Sequence, residues 1–222
     1  MKTILFYGDS ITDARHLKEN DDNFAGHGYA TMVKGLLGAE CPGEYTFLNR
    51  GVAGDRVRDL FCRVRRDVLN LKPDYMSILI GVNDVWHELN HQNGNSEARF
   101  EQIYGYLLDE ILQELPDVRI MLMEPFVLRG WATVPSQEHP EPDRWECFRG
   151  EVERRAAAAK RVAQRYGLPF VPLQKMFDEA CNAAPADYWL FDGVHPTAMG
   201  HELIKREWLK AFARMTGTKS LV

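Results

Sequence analysis

Short apolar runs alternate along the chain with longer segments in which apolar residues recur at helical spacing. Five runs have the length of a strand, and they cover residues 4–7, 45–48, 75–80, 118–123 and 168–173. The run at 75–80 is almost continuously apolar, which is typical of a parallel strand covered on both faces. Strands that alternate with helices predict an α/β fold, in which helices cover both sides of a parallel sheet.

The segments with helical periodicity begin near residues 29, 57, 100, 146, 176 and 199. The 222 residues suit one domain spanning positions 1–222, since this length can bury a sizeable core and is short for two domains. Between 124 and 145 the pattern breaks into an irregular, proline-bearing loop. Loops of that length are usually functional or mobile. A polar stretch at 19–23 is predicted to line the rim of a site.

Polar turns follow the first three predicted strands, at the edge where open α/β sheets bind their ligands. The first turn is Gly8-Asp9-Ser10, the next two lie at 51–54 and 81–84, and a fourth at 192–196 precedes the last helix. An isolated Gly-Asp-Ser is equally well explained by a serine that caps a helix. The role of Ser10 therefore depends on what the other turns supply.

The four turns together contain each group that a serine hydrolase needs. Ser10 is the candidate nucleophile, and His195 is the candidate base that accepts its proton. Asp192 lies three residues before His195, so that one turn can present both side chains and the carboxylate can fix the imidazole tautomer. Candidate donors to the oxyanion are the backbone N–H groups of Ser10 and Gly54 and the side-chain amide of Asn83.

These turns resemble the four motif blocks of the GDSL, or SGNH, hydrolase superfamily, and they occur in the family's order. The matching segments are Gly8-Asp-Ser-Ile, Gly54, Gly81-Val-Asn-Asp and Asp192-Gly-Val-His-Pro. Ile11 replaces the leucine of the family's name, an exchange between similar apolar residues. The resemblance implies a flavodoxin-like three-layer α/β/α sandwich with a five-stranded parallel sheet. It also implies hydrolysis of esters through an acyl-serine.

Longer segments are similar to the intracellular acetylxylan esterases of this superfamily. They lie at 49–60, 80–86, 124–126 and 191–201, and the similarity breaks between 127 and 150. This resemblance implies that the protein removes acetyl groups from imported xylo-oligosaccharides and assembles as a homo-oligomer. Trp208 and Phe212 on the final helix are candidate contacts for a partner subunit.

Substrate contacts are predicted beside the motif turns. Trp86, Trp131 and Trp189 present aromatic faces that suit sugar rings, although each taken alone is as well explained by packing in the core. Asp9 is a further candidate contact because it adjoins Ser10. The bulky run Tyr188-Trp-Leu-Phe191 leads into the Asp192 turn, and we expect it to close the acyl pocket just beyond a methyl group.

The composition excludes several classes of partner. Acidic residues outnumber basic ones by 32 to 27, which gives a formal net charge of −5, whereas a protein that binds nucleic acid normally has a basic face. No run approaches the roughly 18 apolar residues of a membrane helix, and the N-terminus lacks the pattern of a signal peptide. The four cysteines are scattered, as is typical of reduced thiols in a cytoplasmic protein.

A metal site is the remaining possibility that the sequence raises. His87 and His91 stand four residues apart, a spacing that lets two imidazoles bind one ion on a helix face. No third ligand has a clear placement, so we expect no metal and no cofactor, and we assign both histidines to the surface or the rim of the site.

Two alternative functions stay open at this point. A lysophospholipase or thioesterase would need a long apolar acyl channel, and the sequence shows no apolar lid for one. A non-catalytic binding module on the same fold is the other, because a fold does not fix a function.

Overall fold

The five predicted strands form one parallel sheet in a computed structural model that describes residues 1–17 and 24–219. The polar stretch at 19–23 lies outside the described residues. The strand order is β2-β1-β3-β4-β5. The strands are β1 (Lys2–Gly8), β2 (Tyr45–Gly51), β3 (Tyr75–Leu79), β4 (Arg119–Met123) and β5 (Phe170–Val171).

The helices fill the connections between these strands. In the described residues they are α1 (Ser10–Asp13), α2 (Tyr29–Glu40), α3 (Val57–Val64), α4 (Val82–His91), α5 (Glu97–Glu114), α6 (Arg144–Arg165), α7 (Gln174–Ala180), α8 (Ala186–Trp189) and α9 (Ala198–Thr216). The α3 helix continues as a π-helical turn over Arg65–Leu69. None of the helices in the described ranges is both long and apolar enough to cross a membrane.

Different helices cover the two faces of the sheet, because successive side chains of a strand point to opposite sides. Ile4 and Phe6 of β1 join the core under α2, α7 and α9. Leu5 and Tyr7 join the core under α3, α5 and the second half of α6. The predicted three-layer α/β/α sandwich with a five-stranded parallel sheet is confirmed.

The inner face of the final helix belongs to this core. The Trp208 ring lies 5.5 Å from the Phe6 ring, and both Trp208 and Phe212 are buried. The prediction that these two side chains contact a partner subunit was therefore wrong. A homo-oligomer stays a prediction that rests on the family resemblance, and the cytoplasmic location stays a prediction that rests on the cysteine pattern and the N-terminal sequence.

The sequence overestimated the fifth strand and missed three of the described helices, α4 and the four-residue α1 and α8. The strand has two residues instead of the predicted run at 168–173 because Pro169 and Pro172 flank it, and proline has no N–H to donate to a sheet. The longest of the missed helices is α4, which begins just after β3 and was expected to be only a turn.

The strand register brings the functional turns to one level. Gly8 at the end of β1 pairs with Gly51 of β2 on one side and with Leu79 of β3 on the other. The three segments that leave these strands therefore start side by side. They contain Ser10, Gly54 and Asn83 respectively.

Candidate active site

Ser10 is the first residue of α1, immediately after β1. Asp9 is the N-cap of this helix, and its carboxylate accepts the N–H of Ile11 at 3.0 Å. Behind the turn, the Arg63 guanidinium donates to the carbonyls of Gly8 at 3.0 Å and Arg50 at 2.9 Å. The Ser10 side chain therefore does not cap the helix. The turn that carries it is held by Asp9 and Arg63.

A hydrogen-bonded chain runs from Ser10 through His195 to Asp192. The Ser10 Oγ lies 2.9 Å from His195 Nε2, and His195 Nδ1 lies 2.6 Å from Asp192 Oδ2. The other carboxylate oxygen, Asp192 Oδ1, accepts the backbone N–H groups of Val194 at 2.8 Å and His195 at 2.7 Å. One carboxylate oxygen therefore shapes the turn, while the other orients the imidazole.

Asp192 and His195 each stabilise the charged form of the other, which shifts both pKa values. Burial opposes ionisation of Asp192, but hydrogen bonds from the side chain and backbone of His195 hold the pKa of its carboxyl below the usual value. Burial also opposes protonation of His195, but the hydrogen bond and the charge of Asp192 raise the pKa of the imidazole above its ordinary value. This imidazole is a stronger base than a free histidine.

The three candidate oxyanion donors lie on neighbouring segments. Within the described ranges, the backbone N–H groups of Ser10 and Gly54 donate to no other group. The Asn83 amide donates one hydrogen to the Asp55 carbonyl at 3.1 Å, which orients the side chain and leaves its second N–H for a ligand. The arrangement is suited to receive negative charge.

Gly54 is required here for its backbone conformation. Its φ of +84° is one that side chains rarely adopt. A Cβ at this position would meet His87 Nε2 only at 3.9 Å, an ordinary contact. Gly54 was identified from the sequence as a candidate oxyanion donor, and its positive φ explains why a glycine stands at this position.

Asp84 ties two of these segments together. It is buried, and its carboxylate accepts the N–H of Val57 at 3.1 Å and the amide of Asn95 at 2.5 Å. The bond to Val57 joins the start of α4, which carries Asn83, to the start of α3, which follows Gly54. Asp84 thus has a structural role, since it holds these two segments together.

Two aromatic rings lie against the His195 imidazole. Phe191 stacks on it with a centroid distance of 5.8 Å and an interplanar angle of 20°, and Trp86 lies 5.8 Å away. Ser10, His195 and Phe191 line a cleft of about 410 Å³. Trp86 and Trp131 line a second cavity of about 270 Å³. The two predicted aromatic contacts at 86 and 131 therefore share one cavity beside the site.

Two other predicted substrate contacts line neither of these two cavities. Asp9 is 1% exposed and caps α1, so we withdraw it as a substrate contact. Trp189 packs against the core, and its indole N–H donates to the carbonyls of Ala180 at 3.1 Å and Ala184 at 3.3 Å. These contacts fix the Trp189 ring and hold α8 against the end of α7.

The bulky run before Asp192 does not enter the site as a block. Leu190 is fully buried, Tyr188 is exposed, and only Phe191 reaches His195. The sequence named Phe191 only as part of this run and did not distinguish it from its neighbours. Its position immediately before Asp192 was the available signal, because residues next to the turn that carries Asp192 and His195 border the same cleft.

His201, His87 and His91 do not take part in the hydrogen-bonded chain from Ser10 to Asp192. His201 is buried in the wall of the 410 Å³ cleft, where its Nδ1 accepts the N–H of Tyr29 at 3.2 Å. Burial lowers the pKa of His201 to about 4, so this ring is neutral. The ring centroids of His87 and His91 lie 6.0 Å apart. The part of the chain that is described contains no cluster of three His, Cys, Asp or Glu side chains able to hold a metal ion.

Comparisons with known proteins show which family the chain is similar to. The model of the GDSL-like Lipase/Acylhydrolase family matches residues 6–203. An acetylxylan esterase of Geobacillus stearothermophilus is 32% identical over 213 residues, covering 93% of this chain and 92% of that protein.

Solved structures that superpose on this chain include a putative GDSL-like lipase and an acetylxylan esterase. A putative GDSL-like lipase from Parabacteroides merdae superposes with a TM-score of 0.83 at 33% identity, covering 95% of this chain and 94% of that one. The acetylxylan esterase Axe2 from Geobacillus stearothermophilus superposes with a TM-score of 0.80 at 28% identity, covering 100% and 96%. Two further Axe2 structures are described as catalytic mutants, one with a serine and one with an aspartate replaced by alanine.

Proposed function

The chain belongs to the GDSL-like lipase/acylhydrolase family, and from this premise we propose that it is a serine esterase that removes acetyl groups from small carbohydrate esters. The observation that carries the proposal is the hydrogen-bonded chain, with 2.9 Å from Ser10 Oγ to His195 Nε2 and 2.6 Å from His195 Nδ1 to Asp192. The carbohydrate part is supported by the match to an acetylxylan esterase over nearly the whole length.

In the first half of the proposed reaction, Ser10 Oγ attacks the acyl carbonyl as His195 Nε2 takes the hydroxyl proton. The carbonyl oxygen becomes an oxyanion, which the N–H groups of Ser10, Gly54 and Asn83 stabilise. When the intermediate collapses, the bond to the alcohol oxygen breaks and His195 donates its proton to that oxygen. The acyl group stays on Ser10, and the alcohol leaves.

In the second half of the proposed reaction, water replaces Ser10 as the nucleophile. His195 Nε2 takes a proton from the water, the resulting nucleophile attacks the acyl-serine, and His195 returns the proton to Ser10 Oγ as the acid departs. Asp192 keeps the Nδ1 proton of the imidazole in place throughout and stabilises the imidazolium.

Replacing Asn83 by alanine is expected to lower turnover by roughly a hundred- to a thousand-fold, because one preorganised oxyanion donor has about that effect. Since the donor acts on charge that develops in the transition state, KM should change little. Steady-state kinetics with phenyl acetate measures this. A higher KM with unchanged turnover would make Asn83 a substrate-binding residue instead.

Substrate preference tests the proposed function as a whole. Acetate, butyrate and octanoate esters of phenol are compared with an acetylated methyl xyloside. We expect kcat/KM to fall at least tenfold from acetate to butyrate, a difference of the size that pocket fit produces. The structural reason is that Phe191 stacks on His195 and forms one wall of the cleft at Ser10, where it limits the room for a longer acyl chain.

The acetylated xyloside is expected to be a competent substrate in the same experiment. Equal or rising kcat/KM values from acetate to octanoate would instead assign the protein to the lipases or thioesterases. Absence of hydrolysis of every ester would leave a non-catalytic binding module.

A further inference from the structure

The 270 Å³ cavity beside His195, here called the tryptophan cavity, is lined by Trp86, Asn90, Trp131, Ala132 and Arg144 among others. We propose that it binds the neutral sugar ring from which the acetyl group is removed, with the two indoles as its walls and the Asn90–Arg144 pair as its polar contact. This assignment rests on the proposed function. It gives a role to the irregular segment between β4 and α6.

The loop that carries Trp131 is fastened to the turn that carries the candidate base. The Leu128 N–H donates to the Gly193 carbonyl at 2.8 Å, and the Ala132 N–H donates to the Asp192 carbonyl at 3.1 Å. Gly130 lies so close that a Cβ there would sit 2.2 Å from the Asp192 carbonyl carbon. These backbone contacts fix Trp131 relative to His195, as a group that positions a substrate for reaction requires.

The two indoles differ in exposure, since Trp86 is packed at the inner side of the cavity and Trp131 is exposed at its mouth. Trp86 packs between Phe148, at 6.0 Å, and His195, at 5.8 Å, and forms a fixed inner wall. Trp131 is 67% exposed although its backbone is anchored on both sides. An indole held in water at the mouth of a cavity offers a large apolar face to a ligand. The apolar C–H face of a sugar ring matches it.

A buried cation provides the polar contact. The Arg144 side chain is only 4% exposed, and its Nη2 donates to Asn90 Oδ1 at 2.8 Å and to the Ala132 carbonyl at 3.4 Å. Arginine has five N–H donors, so the guanidinium retains donors for sugar hydroxyls. Because Asn90 accepts from Arg144, its own NH₂ group is also left as a donor. Glu138 lines the cavity and Glu141 lies 3.9 Å from Arg144, which favours a neutral ring over an anionic one.

The test compares two acetate esters that differ in the alcohol. Ethyl acetate has no ring to occupy the tryptophan cavity, whereas acetylated methyl xyloside has one. For Trp131→Ala we expect the ratio of kcat/KM for the xyloside to that for ethyl acetate to fall about tenfold, equal to about 1.4 kcal/mol, as loss of an aromatic contact predicts. Tyr106→Ala, which removes an aromatic side chain that is 50% exposed on α5, should leave the ratio unchanged.

A second variant addresses the polar contact without disturbing Arg144. Asn90→Asp keeps an oxygen that accepts from the guanidinium but removes the NH₂ donors. We expect it to raise KM for the xyloside several-fold more than KM for ethyl acetate, and thermal unfolding verifies that both variants are folded.

The possible results separate the two proposals. An unchanged ratio in Trp131→Ala, or an equal loss on both esters, would overturn the sugar site. Wild-type hydrolysis of ethyl acetate without hydrolysis of the xyloside would overturn the carbohydrate part of the proposed function, and failure on both esters would overturn the esterase itself.

Discussion

Ser10→Ala is expected to reduce ester turnover on the order of a million-fold, the scale seen when a serine hydrolase loses its nucleophile. In the proposed reaction the Ser10 hydroxyl forms the acyl bond, and in the described part of the chain no other hydroxyl lies within hydrogen-bond distance of His195. The fold should not suffer, because the cap of α1 is Asp9. Turnover of phenyl acetate and the melting temperature measure the two effects.

Ser96→Ala provides the matched control, since Ser96 caps α5 by accepting the N–H of Arg99 at 3.4 Å. This variant should show the opposite pattern, with full activity and a stability loss of about 0.5–1 kcal/mol, the lower range for a lost cap. Activity within tenfold of wild type in Ser10→Ala would mean that another residue is the nucleophile.

Asp192→Asn has the second largest expected effect, a loss of about ten-thousand-fold in turnover. The structure gives a specific reason. Asp192 Oδ1 accepts two backbone N–H groups, from Val194 and His195, so the single oxygen of asparagine must take that place. The NH₂ group of asparagine then donates to His195 Nδ1, so that the imidazole proton lies on Nε2. A protonated Nε2 cannot accept the proton of Ser10.

The pH dependence separates this effect from a general loss of structure. Asp192 raises the pKa of His195, and the base works only when neutral, so wild-type activity should fall as the pH drops through that raised pKa. In Asp192→Asn the pKa of His195 decreases, and the acidic limb of kcat/KM should move to lower pH. Asp187→Asn on α8, outside the hydrogen-bonded chain, should leave both the rate and the limb unchanged. An acidic limb that stays in place in Asp192→Asn contradicts the assignment.

The grouping of Ser10, Gly54 and Asn83 at one edge of the sheet follows from the periodicity of the sequence. Apolar runs of strand length, separated by helical segments, dictate a parallel sheet, and the ends of its strands then lie side by side. Ser10, Gly54 and Asn83 each follow one of these strands, so their proximity could be expected before any coordinate was known. The fifth strand could have been shortened on the same basis, because Pro169 and Pro172 are visible in the sequence.

Other features depend on tertiary contacts that leave no pattern in the sequence. Leu190 and Phe191 are adjacent apolar residues, yet one is fully buried and the other stacks in the open on His195. Trp189 and Trp131 are both tryptophans near the site, but only Trp131 lines a cavity beside it. The attachment of the Trp131 loop to the Asp192 turn is made by backbone groups, which every residue possesses.

Covalent labelling with an aryl phosphonate tests the central claim, that Ser10 is the nucleophile activated by His195, most directly. Such a reagent mimics the tetrahedral intermediate and forms a stable adduct with the activated nucleophile, which peptide mass spectrometry locates. The account predicts one adduct, on Ser10, that forms in step with the loss of activity and is absent from Ser10→Ala. An adduct on any other residue, or inactivation without modification of Ser10, would contradict it.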